Sequence, residues 1–308
     1  MTFHNLKTGS ERVAGLVRGY ARFLIIAAVF GLAYADEAVA QRSLASVMLP
    51  TDTSGTRKAS KPARATEHRF LRNQLEHTRV FDARFEKRFE LKKLFRERGL
   101  AYPAAEIFLR VFKRERQLEL WVRPEAQNDF VLLKSYEICA LGDKPGPKRV
   151  QGDRQTPEGF YYIDDFNPRS GYHLSLHVNY PNASDRILGG MDKIKGNLGG
   201  DIFVHGDCKT AGCVAVTDEN IKEIYTLAIE ARDNGQTRIP VHIFPARLTD
   251  DAFAQYARVF KDQQSLVDFW SNLKTGYDYF ETKRKLPEID VNKRGRYVFK
   301  TSESTPSL

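Results

Sequence analysis

Cysteine is scarce in this sequence, with three residues among 308, at Cys139, Cys208 and Cys213. In an oxidising compartment a bridge between two of them leaves the third unpaired, which indicates a reactive thiol. Long hydrophobic runs are also lacking. The longest uncharged apolar run, Phe23 to Ala35, is shorter than the roughly 20 residues that a transmembrane helix needs, and no later segment is apolar enough to span a bilayer.

The first 40 residues are typical of an export signal. Basic residues precede the run Phe23 to Ala35, and two small-x-small cleavage sites follow, ending at Ala35 and Ala40. We therefore expect a soluble, periplasmic mature chain. An uncleaved membrane anchor is the alternative, and in that case the membrane contact is expected only through this leader.

The charge balance narrows the class of partner. The formal net charge is +9, and an exported basic protein is expected to meet anionic groups such as cell-wall carboxylates or lipid phosphates. Nucleic acid is not an expected partner, because of the compartment rather than the charge.

Three segments outside the central domain differ in composition. Residues 41–66 are rich in Ser, Thr, Pro and Ala, and we expect a disordered linker. Residues 67–100 predict a basic amphipathic helix, whose apolar positions are expected to pack on the domain while Arg and Lys stay solvated; a membrane-surface role is the alternative. Its apolar positions are Phe81, Phe85, Phe89, Leu91, Leu94 and Phe95. Residues 247–308 predict a helical extension that ends in a frayed "TSESTPSL".

The central segment, residues 106–246, predicts a mainly β domain. Runs such as "IFLRVFK", "QLELWVR", "FVLLKSYEI" and "GFYYIDDF" are β-branched or aromatic and are separated by charged or Pro/Gly turns. One helix is expected after Thr217, capped by Thr217 or Asp218 and ended by Gly235. "IPVHIFPA" is expected to be the closing strand.

The stretch "VHGDCKTAGCVAVTDENI", residues 204–221, concentrates His205, Cys208 and Cys213. A metal site could recruit a fourth ligand, but H-x2-C-x4-C is not a usual ligand spacing, and we expect no metal and no cofactor. A disulfide could join Cys208 to Cys139 or to Cys213. The candidates for the fourth ligand are His173, His177 and His242.

A nucleophile with its base is the third interpretation. Thiol attack on a carbonyl needs a neutral imidazole to accept the proton and backbone N–H donors to hold the oxyanion. His205 follows a predicted strand and precedes Gly206, while Cys213 follows Gly212, which would let a substrate carbonyl approach the main chain. A buried cysteine beside a structural histidine is the plain alternative.

The stretch "YHLSLHVNY", residues 172–180, alternates apolar with polar residues, as a strand does. This places His173, Ser175, His177 and Asn179 on one polar face, which is either solvated surface or the wall of a groove near His205. We take His173, His177 and Asn179, together with Thr210, as candidate substrate-binding residues.

Several ordered blocks resemble one enzyme family. "HG" followed by "GCV", with "GPKRVQGDRQTPEGFYYI" upstream, resembles the YkuD-type L,D-transpeptidases. The likeness is greatest to their YafK-like branch, and it covers about residues 106–285. The blocks that carry it are "FKRERQLELW", "HLSLHVNYPN", "VHGDCKTAGCVAVTDENIKEIY" and "FWSNLKTGYDYFETKR".

The resemblance implies a β-sandwich catalytic domain and a cofactor-free cysteine enzyme of the bacterial cell wall. By similarity Cys213 is the nucleophile, His205 the general base and then acid, and the Gly206 carbonyl orients the imidazole. The N–H groups of Gly212 and Cys213 would hold the oxyanion. The family forms a thioester with the acyl group of a diaminopimelate-containing stem peptide, and an acceptor amine or water then resolves it.

The family pattern S-x-G-C-x-R reads "TAGCVA" here, with Thr210 for the serine and Ala215 for the arginine. Losing the arginine removes a cation that could bind a carboxylate or brace the thiolate. Transpeptidation and hydrolysis therefore both stay open; some YafK-like proteins are understood as amidases that release lipoprotein from peptidoglycan. A non-catalytic wall-binding protein is the rival from another class.

Overall fold

The computed structural model describes residues 68–189 and 197–300. The predicted leader (1–40), linker (41–66) and final "TSESTPSL" lie outside these residues. The described ranges contain the helices α1 (Arg69–Leu75), α2 (Thr78–Glu97), α3 (Ala183–Leu188), α4 (Asp218–Asp233), α5 (Asp250–Val259) and α6 (Gln264–Lys283). Their strands are β1 (Glu106–Phe112), β2 (Gln117–Arg123), β3 (Val131–Glu137), β4 (Gly159–Asn167), β5 (Ser175–Val178), β6 (Ile202–His205), β7 (Val214–Ala215), β8 (Ile239–Phe244), β9 (Glu288–Val291) and β10 (Tyr297–Lys300).

Strands β1 to β8 form one curled eight-stranded sheet in the order β3-β2-β1-β8-β4-β5-β6-β7. This confirms the prediction of a mainly β domain. The strand β8, expected to close the domain, lies at the centre of the sheet, where it pairs in parallel with β1 and antiparallel with β4. At the far edge the short β7 pairs in parallel with β6, so the ends of these two strands lie side by side.

The two faces of the sheet carry separate hydrophobic clusters. Alternate residues of β1, such as Ile107, Leu109 and Val111, pack with the buried face of α4. The opposite face carries aromatic side chains, including Phe112 and Phe160, which pack against α5, α6 and β10. Successive side chains of β1 therefore point to opposite faces of the sheet, and at β1 each face is covered by helices; neither face is exposed to solvent there.

Helix α4 begins and ends where its sequence signals predict. The side chain of Thr217 caps it by accepting a hydrogen bond from the Asn220 N–H, and Gly235, with φ of +106°, follows the C-cap. The C-terminal extension is helical in α5 and α6, as predicted, but it also contains the β9–β10 hairpin, which was not predicted. Between residues 68–189 and 197–300, no helix combines the length and apolarity needed to cross a membrane.

The prediction for residues 67–100 is confirmed for Leu91, Leu94 and Phe95, which pack on the domain, and is wrong for the three phenylalanines before them. The segment forms two helices, and α2 buries Val80, Ala83, Leu91 and Phe95. Phe81, Phe85 and Phe89 point away from the domain, with 53%, 79% and 72% of their surface exposed. The buried row lies on the other side of α2, where the small Ala83 lets the helix approach α4 closely.

His242, a candidate metal ligand by sequence, lies in the aromatic cluster of the sheet. Its ring centroid is 4.5 Å from that of Phe108 and 4.7 Å from that of Phe160. Burial lowers its pKa from 6.5 to about 3, with a smaller contribution from the Arg110 charge. The imidazole is therefore neutral in the folded protein at any pH above this value.

Replacing His242 by Phe is expected to flatten the acid dependence of stability. In the unfolded chain His242 binds a proton below about pH 6.5, whereas the folded chain resists protonation, so stability is lost as pH falls towards 3. Between pH 7 and 4 the free energy of unfolding of the wild type is expected to fall by on the order of 3 kcal/mol through His242. Urea unfolding at several pH values measures this loss. If the free energy of unfolding falls with pH equally in the variant and the wild type, His242 is not the cause.

A buried ion pair joins the sheet to the C-terminal extension. Lys113, at the end of β1, and Glu158, before β4, are 1% and 0% exposed, with 2.8 Å between Nζ and Oε1. The Trp270 indole N–H of α6 donates to Glu158 Oε2 at 2.8 Å. Lys113 Nζ also donates to the carbonyls of Gly146 and Thr156. One charged pair therefore fixes both α6 and the loop that precedes β4.

Candidate active site

The adjacent strands β6 and β7 bring His205 and Cys213 to one cavity. His205 is the last residue of β6, and Cys213 directly precedes β7, whose Val214 and Ala215 pair with Val204 and His205. Both side chains line a cavity of about 540 Å³. Parallel pairing at a sheet edge thus joins two residues that the sequence separates by a loop.

A disulfide between Cys139 and Cys208 holds this loop to the end of β3. It selects one of the two pairings that the sequence left open, and among the described residues Cys213 is the free cysteine. Backbone hydrogen bonds support the same junction, from Cys139 N–H to Ala215 O at 3.0 Å and from Ala215 N–H to Ala140 O at 2.8 Å. The loop that carries Cys213 is thereby tied at both ends.

His205 is held in the tautomer that a general base requires. Its Nδ1 lies 2.5 Å from the carbonyl oxygen of Gly206. A carbonyl only accepts, so Nδ1 carries the proton and Nε2 of the neutral ring is free to accept one. The Tyr172 ring lies 4.7 Å from the imidazole, which is 1% exposed. Burial lowers the pKa of His205, so the ring is neutral at neutral pH.

The Cys213 thiol is half-buried and hydrogen-bonded. Its Sγ donates to the Asp201 carbonyl at 3.4 Å. Burial raises the pKa of the thiol, while hydrogen bonds from the Phe203 backbone and the Thr210 side chain lower it. The upward shift for Cys213 and the downward shift for His205 both favour the uncharged forms. The resting pair is thus thiol and imidazole, and proton transfer must accompany attack on a carbonyl.

Thr210 organises the turn before the nucleophile. Its Oγ1 accepts from the Cys213 N–H at 2.8 Å and the Gly212 N–H at 3.2 Å, and its hydroxyl donates to the Cys213 carbonyl. These are the two N–H groups predicted to hold an oxyanion. In the structure they point at a hydroxyl, so an oxyanion there would share or replace Thr210 as their acceptor.

Replacing Thr210 by Val is expected to lower kcat/KM by about 10- to 100-fold, because two N–H donors lose their acceptor and the turn loses its anchor. Thr210→Ser keeps the hydroxyl, and serine is also the residue of the wider family pattern. Its kcat/KM is expected to stay within a factor of about three of the wild-type value. Steady-state kinetics of both variants checks this. Equal activity for Val and Ser would show that the hydroxyl is dispensable.

Gly206 and Gly212, the two glycines assigned to the site by sequence, have no room for a side chain. Gly212 has φ of +124°, and a Cβ there would lie 2.7 Å from the Gln155 carbonyl oxygen. A Cβ on Gly206 would lie 2.5 Å from an oxygen of Asp218. The space beside the Gly212 α-carbon is therefore filled by the chain itself, where the sequence analysis expected a substrate carbonyl.

Lys148 is a cavity residue that the sequence analysis did not single out. It is 4% exposed and pairs with Asp153, with 2.6 Å between Nζ and Oδ1. Its charge opposes, in small part, the burial that raises the pKa of the Cys213 thiol. Ala215, at the position of the family arginine, is fully buried on β7. The cavity thus has a cation from another part of the chain. Lys148 belongs to the upstream block "GPKRVQGDRQTPEG", and this block is the sequence signal that could have identified it.

Three predicted substrate-binding residues lie outside the cavity wall. His173 has φ of +67°, which breaks the expected strand before β5 and moves its side chain towards Gly206. His177 pairs with Asp164 at 2.5 Å, and Asn179 accepts from the Tyr162 N–H. Of the predicted polar face, Ser175 lines the cavity, as does Thr210.

The residues considered as metal ligands are not grouped around one point. Cys208 is held in the disulfide and His242 lies in the aromatic cluster. Within the described residues no group of three or more His, Cys, Asp or Glu side chains is arranged to hold an ion. The cavity residues offer instead a thiol, an imidazole and backbone amides.

Comparison with known proteins shows the family of the chain. The family model of the YkuD L,D-transpeptidase catalytic domain matches residues 108–243. A curated protein of Escherichia coli K12, "Putative L,D-transpeptidase YafK", is 38% identical over 194 residues, which cover 62% of this chain and 73% of the relative. Its counterpart in strain O157:H7 matches equally.

Solved structures give a more distant likeness. The helical cell shape determining protein Pgp2 from Campylobacter jejuni is 18% identical, with a TM-score of 0.34 over 67% of this chain and 80% of that one. The family match and the curated relatives confirm the resemblance found in the sequence blocks. This chain belongs to the YkuD family of L,D-transpeptidase catalytic domains.

Proposed function

We propose that the protein is a cysteine acyl-transfer enzyme that acts on diaminopimelate-containing stem peptides of peptidoglycan in the periplasm. One observation carries the proposal: the free thiol of Cys213 and the base-competent imidazole of His205 line the same cavity of an L,D-transpeptidase domain. A neutral thiol and a neutral imidazole in one cavity suit attack on an amide carbonyl.

In the proposed first step, Sγ of Cys213 bonds to the acyl carbon while its proton passes to Nε2 of His205. The C–N bond to the terminal D-residue then breaks, and the imidazolium returns the proton to the departing amine. This leaves a thioester on Cys213. Since the imidazole is neutral again, it can take a proton from the next nucleophile.

The second step decides between two outcomes. An acceptor amine gives a new amide, which is transpeptidation, and water gives a free carboxylate, which is hydrolysis. Ala215 stands where the family has arginine, while Lys148 supplies a cation from another element of the cavity wall. A stem-peptide carboxylate is the proposed partner of Lys148. In the hydrolytic outcome the donor could be a lipoprotein linked to the wall.

Replacing Cys213 by Ala is expected to abolish turnover of intact sacculi, with His205→Gln lowering it by at least about 1000-fold. Mass spectrometry of the muropeptides separates the outcomes, because new crosslinks appear only with an amine acceptor, whereas hydrolysis releases peptides without one. If Cys213→Ala still processes sacculi, or complements a deletion strain as well as wild type, the catalytic proposal fails and a wall-binding role is favoured.

A further inference from the structure

The face of α2 that points away from the domain combines exposed aromatics with cations. Phe81, Phe85 and Phe89 occupy one row at intervals of four residues, and the Phe81 and Phe85 rings stack at 6.3 Å. The exposed cations Lys92 and Arg96 run along the same side of the helix. Arg88 also starts from this side, but its guanidinium pairs with Glu230 of α4, with 3.4 Å between Nε and Oε1. We call the three phenylalanines together with Lys92 and Arg96 the aromatic-basic face. Scattered exposed apolar side chains are ordinary, but a continuous row on successive turns marks an interaction surface.

We propose that the aromatic-basic face docks on the surface of an anionic lipid bilayer. An interfacial helix places aromatic side chains at the boundary of the acyl chains and keeps Lys and Arg near the headgroups, with their long stems covering apolar surface. The face fits this description, since rings and cations lie side by side along successive turns. Contact through a helix of the folded part goes beyond the expected contact through the leader, and it does not rest on the proposed reaction.

Charge favours a lipid over a second copy of the chain. Along α2 the sequence has seven basic and four acidic residues, a net of +3, within a chain of net charge +9. Two such faces packed together would bring their Arg and Lys rows close, which is unfavourable for like charges. An anionic bilayer instead attracts each cation near its surface.

The position of α2 links docking to the catalytic cavity. The Arg79 guanidinium, in its first turn, donates to the carbonyl of Ser170 at 2.7 Å and to that of His173. The loop between these residues lines the cavity and carries Tyr172, whose ring covers His205. A bilayer that holds α2 would therefore also orient the cavity wall.

Tryptophan reporters in the full 308-residue chain test this placement. Phe85→Trp puts the reporter on the face, and Val259→Trp puts a matched one on α5, where Val259 is 68% exposed. The native Trp121 and Trp270 are buried and give a constant background. With phosphatidylglycerol vesicles that contain brominated lipid, the Phe85→Trp reporter is expected to be quenched and the Val259→Trp reporter not. Equal quenching of the two, or none in Phe85→Trp, overturns the proposal.

Binding variants separate the two parts of the face. In sedimentation with phosphatidylglycerol vesicles, Phe81→Ser/Phe85→Ser/Phe89→Ser is expected to weaken partitioning by about 100-fold, and Lys92→Glu/Arg96→Glu by at least about tenfold at low salt. Val259→Ser is the control and should leave partitioning unchanged.

Two further outcomes would count against a lipid as the occupant. Equal quenching of the Phe85→Trp reporter in neutral phosphatidylcholine vesicles would show that the cations of the face have no part in binding. A blue shift of the same reporter that grows with protein concentration, without vesicles, would indicate self-association. Either result overturns the assignment to an anionic bilayer.

Discussion

The Cys139→Ala variant is expected to lose most of its activity in oxidising buffer and to recover it on addition of a reductant. The change frees Cys208, which lies five positions before Cys213 (213 − 208) in the same loop. A thiol so close to the nucleophile can form a disulfide with it and block attack. In the native protein the bond to Cys139 keeps Cys208 away from this reaction.

The double variant Cys139→Ala/Cys208→Ala separates blocking from loss of the crosslink. It has no competing thiol, so activity is expected to be independent of reductant and to survive in part. Its stability is expected to fall by about 4 kcal/mol, because the native bond closes a loop with a sequence separation of 69.

Two measurements check these expectations. Activity with and without dithiothreitol, together with peptide mapping of the single variant, should reveal a Cys208–Cys213 bond, and urea unfolding should rank the double variant below wild type. A Cys139→Ala enzyme that is fully active without reductant would show that the two thiols do not meet. The disulfide would then be needed for stability alone.

The sequence predicted the strands of the sheet and the placement of His205 and Cys213 at one cavity, because both follow local rules. Runs of β-branched and aromatic residues between charged or Pro/Gly turns specified the strands around Leu109 and Ile163, and capping chemistry specified the start of α4 at Thr217. The proximity of His205 to Cys213 followed from short spacing and from the family pattern. Each of these depends on residues close together in the chain.

The features that the sequence left open or did not reveal depend on contacts between distant elements. The partner of Cys208 lies 69 positions away, and Lys148 enters the cavity because Asp153 and the Val150 carbonyl hold its ammonium. Three phenylalanines of α2 were expected to pack on the domain because Phe is more apolar than Ala, yet Ala83 is the residue that is buried there. Strand alternation stopped at His173 because a positive φ there turns the chain before β5.

The Glu158→Ala substitution is expected to lower the free energy of unfolding by about 3–5 kcal/mol, a large effect for a single substitution. It leaves the Lys113 ammonium buried without its partner and removes the acceptor of the Trp270 N–H. The Gly146 N–H also loses its contact with Glu158 Oε1 at 3.0 Å. Because the loop from Gly146 leads to Lys148, activity should fall with stability.

Two controls show whether the unpaired charge is the cause. Lys113→Met/Glu158→Met removes both charges and is expected to recover much of the stability that Glu158→Ala loses, since an apolar pair of similar volume needs no partner. Lys209→Ala breaks an exposed pair with Asp207 and should change stability by less than about 0.5 kcal/mol. If the double Met variant unfolds as readily as Glu158→Ala, the hydrogen bonds of Glu158 to Gly146 and Trp270 matter more than the charge of Lys113.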